Sequence, residues 1–205
     1  TWYDQGGTNH ASQPLVSNMP KLVDGGTLVT EGGLPAFYSN EDFLTNASRT
    51  STNEATAFIV HKGEASATNT AMFGFPSDDF QLGLYYWTQG QFGFNTWVAD
   101  SWGYQASAAS DFTSQSIWSA LFINGNPETS GVELWRNGVE KTLSRLRTVS
   151  ASRTMTDGIK IGTGGSSTGN QAGNGYYQEI VIFDGDQSAN RTGIENNIND
   201  HFDIY

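Results

Sequence analysis

Only one stretch of this sequence carries a helical period, and it is the last. Ile194, Ile198 and Phe202 recur every four residues and draw one apolar stripe, with Glu195, Asn196, Asn199 and Asp200 expected on the wet face. Ser188 is the expected N-cap. Immediately upstream, Tyr176 to Phe183 is rich in β-branched and aromatic residues and is bounded by glycines, which reads as a strand. A strand that passes through Asp184-Gly185 straight into a terminal helix is a closing element. The strand is expected inside a sheet, with the helix laid over an edge or open end.

Everything before it comes in strand-length pieces. Thr56 to Lys62 alternates as a central strand should, and Met72–Phe75, Phe80–Trp87 and Phe92–Val98 follow as three more. Gln115 to Ile123 is apolar on both faces and is expected to be a buried central strand. Val132–Arg136 and Val139–Leu146 flank Asn137-Gly138, a type I′ hairpin signal, because that turn needs positive φ at both central residues. Shorter strands are expected at Thr27–Thr30, Leu34–Tyr38, Phe43–Thr45 and Gly158–Gly162. Ala99 to Ser114 reads as a loop of about sixteen residues, long enough to be functional or mobile. With no other helical segment, these pieces specify an all-β chain, an antiparallel jelly-roll β-sandwich of two sheets with five to seven strands each, closed by a short C-terminal α-helix.

Composition narrows the partners. A chain of 205 residues suits a single domain over 1–205. Its net charge of −11 excludes a phosphate-binding surface and adsorption to anionic lipid, so neither nucleic acid nor membrane insertion is expected. The basic residues that do cluster are Arg136, Lys141, Arg145, Arg147 and Arg153, a patch read as a solvated strand face. There are no cysteines, hence no disulfide framework and no thiolate metal site.

Four separated segments carry a family resemblance. TWYDQGGTNHASQ (1–13), LPAFYSNEDFLT (34–45), VELWRNGVEK (132–141) and the closing GYYQEIVIFDGDQSANRTGIENNINDHFDIY resemble the laminin-G-like branch of the concanavalin A-like lectin/glucanase superfamily. The version they are most similar to is found in bacteriophage tail and virion proteins and in bacterial surface proteins. The resemblance implies a concanavalin A-like sandwich, a virion or extracellular cell-surface location, and a domain that belongs to a larger protein. It leaves function open, because one fold hosts lectins, hydrolases, lyases and passive spacers.

The chemistry is tested residue by residue. Glucan-cutting relatives carry carboxylates two apart on one strand, so that all aim into one cleft. This chain has no such run; its acids sit in turns, at Glu41-Asp42, Asp78-Asp79, Asp184 and Asp186. Gly165 to Gly169 matches G-x-S-x-G but lacks the strand before and helix after that a nucleophile elbow requires. Of the three histidines only His61 lies on a strand, and it reads as a packed strand-face residue. Asp4 and Asn9 read as pins for their own Gly-rich loop. Calcium is the one cofactor worth weighing, with Asp78, Asp79, Asp100 and Asp111 as the candidate oxygen donors.

Aromatic residues give the best binding signal. Tyr85, Tyr86, Trp87, Trp97, Trp102 and Tyr104 crowd into twenty residues. Trp102 and Tyr104 fall in the expected long loop beside Asp100 and Gln105, and aromatic faces with polar neighbours are what a sugar ring needs. The expected function is a non-catalytic binding module that recognises a glycan or host-surface receptor. The alternatives are a structural decoration or spacer acting through contacts with other virion or surface-protein subunits, and a polysaccharide-cleaving enzyme.

Overall fold

An apolar strand with two greasy faces must be covered twice, and Ala55–Gly63 is such a strand: eight of its nine residues are buried. In the computed structural model it lies inside a six-stranded antiparallel sheet ordered Val139–Glu140, Val132–Arg136, Ser116–Phe122, Ala55–Gly63, Gly175–Phe183, Phe37–Ser39. A seven-stranded sheet runs Ser144–Arg147, Ser101–Gln105, Gln91–Asn95, Phe80–Trp87, Thr70–Ser77, Lys160–Ile161, Leu44–Thr45. The structure describes residues 1–46, 54–64, 70–77, 80–87, 91–95, 101–105, 110–122, 132–147, 158–162 and 173–205. For 70–71, 75–77, 80–87, 91–95, 101–105, 110–111, 122, 132 and 144–147 that description is of backbone and register alone.

The two sheets face each other across one core. Ala55, Ala57, Ile59, Trp118, Ala120, Leu134, Phe37 and Tyr177 from the six-stranded sheet meet Leu44, Met72, Phe73 and Ile161 from the seven-stranded one. This is the expected antiparallel sandwich. Phe37 and Tyr177 stack within the core at 4.8 Å and an interplanar angle of 11°. Gly63 is required there: a Cβ on it would stand 2.0 Å from the Phe112 ring, which crosses the strand end.

A second apolar cluster lies on the other face of the six-stranded sheet. Phe58, Val60 and Ile117 are covered by Ile198 and Phe202 of the helix Arg191–Phe202. The helix therefore lies on the outer face of the sheet, not over an edge or open end. Each buried Ile or Phe of that stripe contributes ~1.5–3 kcal/mol. Asn190, not Ser188, is the N-cap; Ser188 instead donates its backbone N–H to Asp186 in a turn (2.7 Å). Glu195, expected on the wet face, is only 1% exposed. It accepts a hydrogen bond from the buried Ser119 hydroxyl at 2.7 Å and pairs with Arg191, whose guanidinium lies 4.5 Å over the Trp135 ring. A buried acid on an apolar stripe is tolerated only with such partners.

One extra residue organises the closing strand. Tyr177 pairs with His61, but Glu179 pairs with Val60, so Gln178 is a bulge. The bulge reverses the alternation: Glu179, Val181 and Phe183 pass to the outer face while Ile180 and Ile182 pack on the core. The Gln178 amide is satisfied by a small hairpin, donating to the carbonyls of Glu31 (2.9 Å) and Leu34 (3.3 Å) and accepting from Gln115. That hairpin, Thr30–Glu31 with Leu34–Pro35, is held against the outer face.

Three further expectations change. Ala99 to Ser114 is not one long loop: it contains the strand Ser101–Gln105 and a single helical turn, Ser110–Thr113. Val139 to Leu146 is not one returning strand. Val139–Glu140 closes the hairpin through Asn137 (φ 51°) and Gly138 (φ 74°), as the turn requires. Ser144–Arg147 then crosses to the seven-stranded sheet, beside Ser101–Gln105. Thr27–Thr30 likewise breaks into two separate short pairings. Among the described residues, no helix is long and apolar enough to cross a membrane.

His61 is buried in the inter-sheet core, as a packed strand residue. Its ring lies 4.5 Å from Tyr177 and 5.6 Å from Phe112, and among the described residues neither of its nitrogens has a hydrogen-bond partner, nor does the Tyr177 hydroxyl. Desolvation pushes its pKa down from 6.5 to about 3 and pushes the Tyr177 phenol upward. The unfolded chain therefore takes up a proton below pH 6.5 that the folded chain refuses, so stability is lost as pH falls between 6.5 and about 3. At pH 5 this single group should cost about 2 kcal/mol relative to pH 8. Urea unfolding at the two pH values should show that loss in the wild type and a slope shallower by about that amount in His61→Phe. Equal slopes would remove His61 from the account.

Candidate functional site

The outer face of the six-stranded sheet that helix and hairpin leave uncovered carries one cross-strand row. Register places Lys21 against Tyr38, Tyr38 against Tyr176, and Tyr176 against Lys62. Alternation explains which tyrosine goes where. Phe37 and Tyr177 turn into the core, so their neighbours Tyr38 and Tyr176 turn out. Their rings sit 5.1 Å apart, tilted by 49°, and both are half-exposed. Two adjacent aromatic faces, one with the Lys62 ammonium over it, make a platform, and the Lys21 ammonium beside the row pairs with Asp24 at 3.3 Å.

The platform is held by charge. The Lys62 ammonium lies 5.7 Å over the Tyr176 ring and 2.9 Å from both carboxylate oxygens of Glu31 on the hairpin. The Tyr38 hydroxyl donates to Glu64 at 2.9 Å. Desolvation first, and the Glu64 hydrogen bond and charge second, push the Tyr38 phenol up to about 12. The Tyr176 hydroxyl makes no hydrogen bond among the described residues, which leaves a donor and acceptor for a ligand. The rim is built from the Asn40–Asp42 turn, where Glu41 (φ 62°) gives its N–H to Asn174 at 2.9 Å. Burial raises the Asp42 carboxyl, against the Asn40 N–H and Lys21, which lower it.

The residues expected from the sequence stand elsewhere. Trp102, Tyr104 and Gln105 lie on the strand Ser101–Gln105 in the seven-stranded sheet, opposite Phe94, Phe92 and Gln91. Trp102 shares its cross-strand row with Phe94, Leu84, Phe73, Ile161 and Leu44. Asp100 falls outside the described residues, as do Asp78 and Asp79; Asp111 lies in the turn Ser110–Thr113, its side chain outside them. The Gly165–Gly169 match and Arg153 are outside them too. Among the described residues no group of three His, Asp or Glu side chains is arranged to hold a metal ion. Asp4 pins the N-terminal loop as expected, accepting the N–H groups of Gly6 at 2.8 Å and Asn9 at 3.1 Å, which lower its pKa, while Asn9 takes part through its backbone N–H. Tyr38 and Tyr176 were missed, although both lie in segments that carry the family resemblance. Their one sequence signal is an aromatic pair, Phe37-Tyr38 and Tyr176-Tyr177, on a strand with two faces.

No protein-family model matches the sequence, and no curated protein sequence matches it. Solved structures do share its fold. A heptameric SAP-like pentraxin from Limulus polyphemus superposes with a TM-score of 0.53 at 10% identity, over 73% of this chain and 72% of that one. Domain 4 of AbnA, an extracellular arabinanase from Geobacillus stearothermophilus solved with arabinotriose, gives 0.51 at 17% identity over 79% and 77%. The botulinum neurotoxin type G receptor binding domain gives 0.54 at 11% identity, over 98% of this chain and 50% of that domain. The likeness is of a lectin-like β-sandwich.

The tyrosine row has its own test. Glu64→Gln removes the charge that helps hold Tyr38 protonated, so its pKa should move from about 12 back toward 10. Ring carbon shifts of a tyrosine-labelled sample, followed through alkaline pH, read this directly. An unmoved Tyr38 would mean the contact with Glu64 is not made.

Proposed function

We propose that this chain is a non-catalytic binding module of a virion or cell-surface protein that recognises a glycan or surface receptor. The observation that carries the reading is the half-exposed pair Tyr38 and Tyr176 between Lys21 and Lys62. Sugar C–H faces stack on aromatic rings, while ammonium and hydroxyl groups bond hydroxyls or carboxylates of the ligand. Both ammonium groups are already paired, Lys62 with Glu31 and Lys21 with Asp24, so the aromatic faces and the Tyr176 hydroxyl carry the proposed recognition. The carboxylates at this site are already engaged, Glu31 with Lys62 and Glu64 with Tyr38, which supports binding rather than bond cleavage. Two proteins of similar fold, one solved with arabinotriose and one a receptor binding domain, lend the reading support by analogy of fold.

The laminin-G-like resemblance supports a virion or surface protein as the setting of such a module. The ligand-binding residues expected from the sequence, Trp102, Tyr104, Gln105 and Asp100, belong to the proposal as a second site. Calcium at Asp78, Asp79, Asp100 and Asp111 remains part of it as well; a rise in melting temperature with calcium, absent in Asp100→Asn with Asp111→Asn, is the expected result.

A glycan array probed with the wild type should return specific hits. Tyr38→Ala with Tyr176→Ala should weaken the best of them by ~2 kcal/mol or more, with little change in melting temperature, since hot-spot aromatics carry energy of that order. Trp102→Ala with Tyr104→Ala tests the second site in the same assay. Lys62→Ala should cost at most ~1 kcal/mol of stability, the range of a partly exposed pair. Hits that survive both double substitutions would overturn the reading. Reducing sugar released from a hit over time would restore the enzyme alternative.

A further inference from the structure

The Phe37–Ser39 strand pairs with Gly175–Phe183 only over Gly175 to Tyr177. From Glu179 to Phe183 no described strand lies on the outer edge, and all five residues are partly exposed. Unpaired N–H and C=O groups on a strand edge are a template for another strand. The C-terminal helix runs beside this same stretch and leaves a groove of about 580 Å³ between helix and strand. Val181, Phe183 and Ile194 give it apolar walls, and Glu179 and His201 line it too.

Two details point to an occupant. Glu179 has no hydrogen bond and no ion pair among the described residues, and desolvation holds its carboxyl above the ordinary range despite His201 nearby. A half-buried carboxylate that makes no hydrogen bond or ion pair can take up a cation. Gly193 faces the groove from the first turn of the helix, and a Cβ built there would meet nothing within 4 Å. Glycine in a helix costs up to ~1 kcal/mol relative to alanine. Neither packing nor a positive φ requires it here; what its missing side chain leaves is room.

We propose that the groove and its bare edge take up an extended, basic peptide segment of another protein. The segment continues the lane that Phe37–Ser39 begins, pairs with Glu179–Phe183 as a further strand, and sets a lysine or arginine against Glu179. A second copy of this chain fits less well, because each carries a net charge of −11 and would bring its own Glu179 to the shared edge. This surface is separate from the tyrosine row and does not depend on it.

The test is an array of extended hexapeptides in which Val, Ile or Thr alternates with Lys, Arg, Gln or Glu, followed by anisotropy titration of the best member. Lysine and arginine members should be retained and glutamate members not. Backbone N-methylation of the best peptide should abolish its binding. Gly193→Trp should weaken it tenfold or more, Glu179→Gln should erase the preference for lysine over glutamine, and Gly193→Ala should bind as well as wild type while melting higher. Asn197→Trp serves as the second blocking variant should Gly193→Trp fail to fold. No retained member, equal retention of basic and acidic members, or full binding by the blocked variants overturns the proposal. So does a dimer in sedimentation that Gly193→Trp dissolves, which would assign the edge to a second copy.

Discussion

Burial of the Ala55–Gly63 strand on both faces is the constraint from which the rest follows. Its inward residues Ala55, Ala57 and Ile59 are covered by the opposing sheet, but Phe58 and Val60 look the other way. Left bare, those two would expose a patch in the middle of the outer face. The chain closes it with the helix Arg191–Phe202 and the hairpin over Gln178. The covering is incomplete, since the helix packs on Phe58, Val60 and Ile117 but leaves a groove beside Glu179, Val181 and Phe183. The outer face is thereby divided into a covered middle, a tyrosine row at one end and a groove beside the helix.

Much of this was legible in the sequence, for physical reasons. The Asn137-Gly138 turn was legible because few residues accept positive φ twice in succession. The strand Ser116–Phe122 was legible because a run apolar on both faces has nowhere to sit but the middle of a sheet. The helix was legible from its four-residue stripe. Which surface the stripe covers was not, because an apolar stripe reports that it is buried and not against what. Glu195 shows the same limit: a charged letter reads as wet until Ser119 and Arg191, distant in sequence or one turn away, supply its partners.

The site was hidden by a subtler effect. The alternation of Gly175–Phe183 is reversed at Gln178, and a single bulge residue decides which side chains of the strand meet water. Nothing local in Tyr176 to Phe183 marks that bulge; its cause is the hairpin carbonyls that Gln178 satisfies from nearly 150 residues away in sequence. Reading by composition led toward the dense aromatics around Trp102. Register sets Trp102 on the seven-stranded sheet, in line with Phe94, Leu84 and Phe73, and sets Tyr38 and Tyr176 side by side on the six-stranded one.

The central claim is that the open outer face of the six-stranded sheet is a recognition surface that leaves its ligand intact. An amide and tyrosine-ring NMR titration of the labelled domain, with the ligand recovered and analysed afterwards, addresses it most directly. The account predicts shifts centred on Glu31, Tyr38, Lys62 and Tyr176, saturating with ligand that is recovered unaltered. Shifts confined to the seven-stranded sheet, or ligand recovered in pieces, would contradict it.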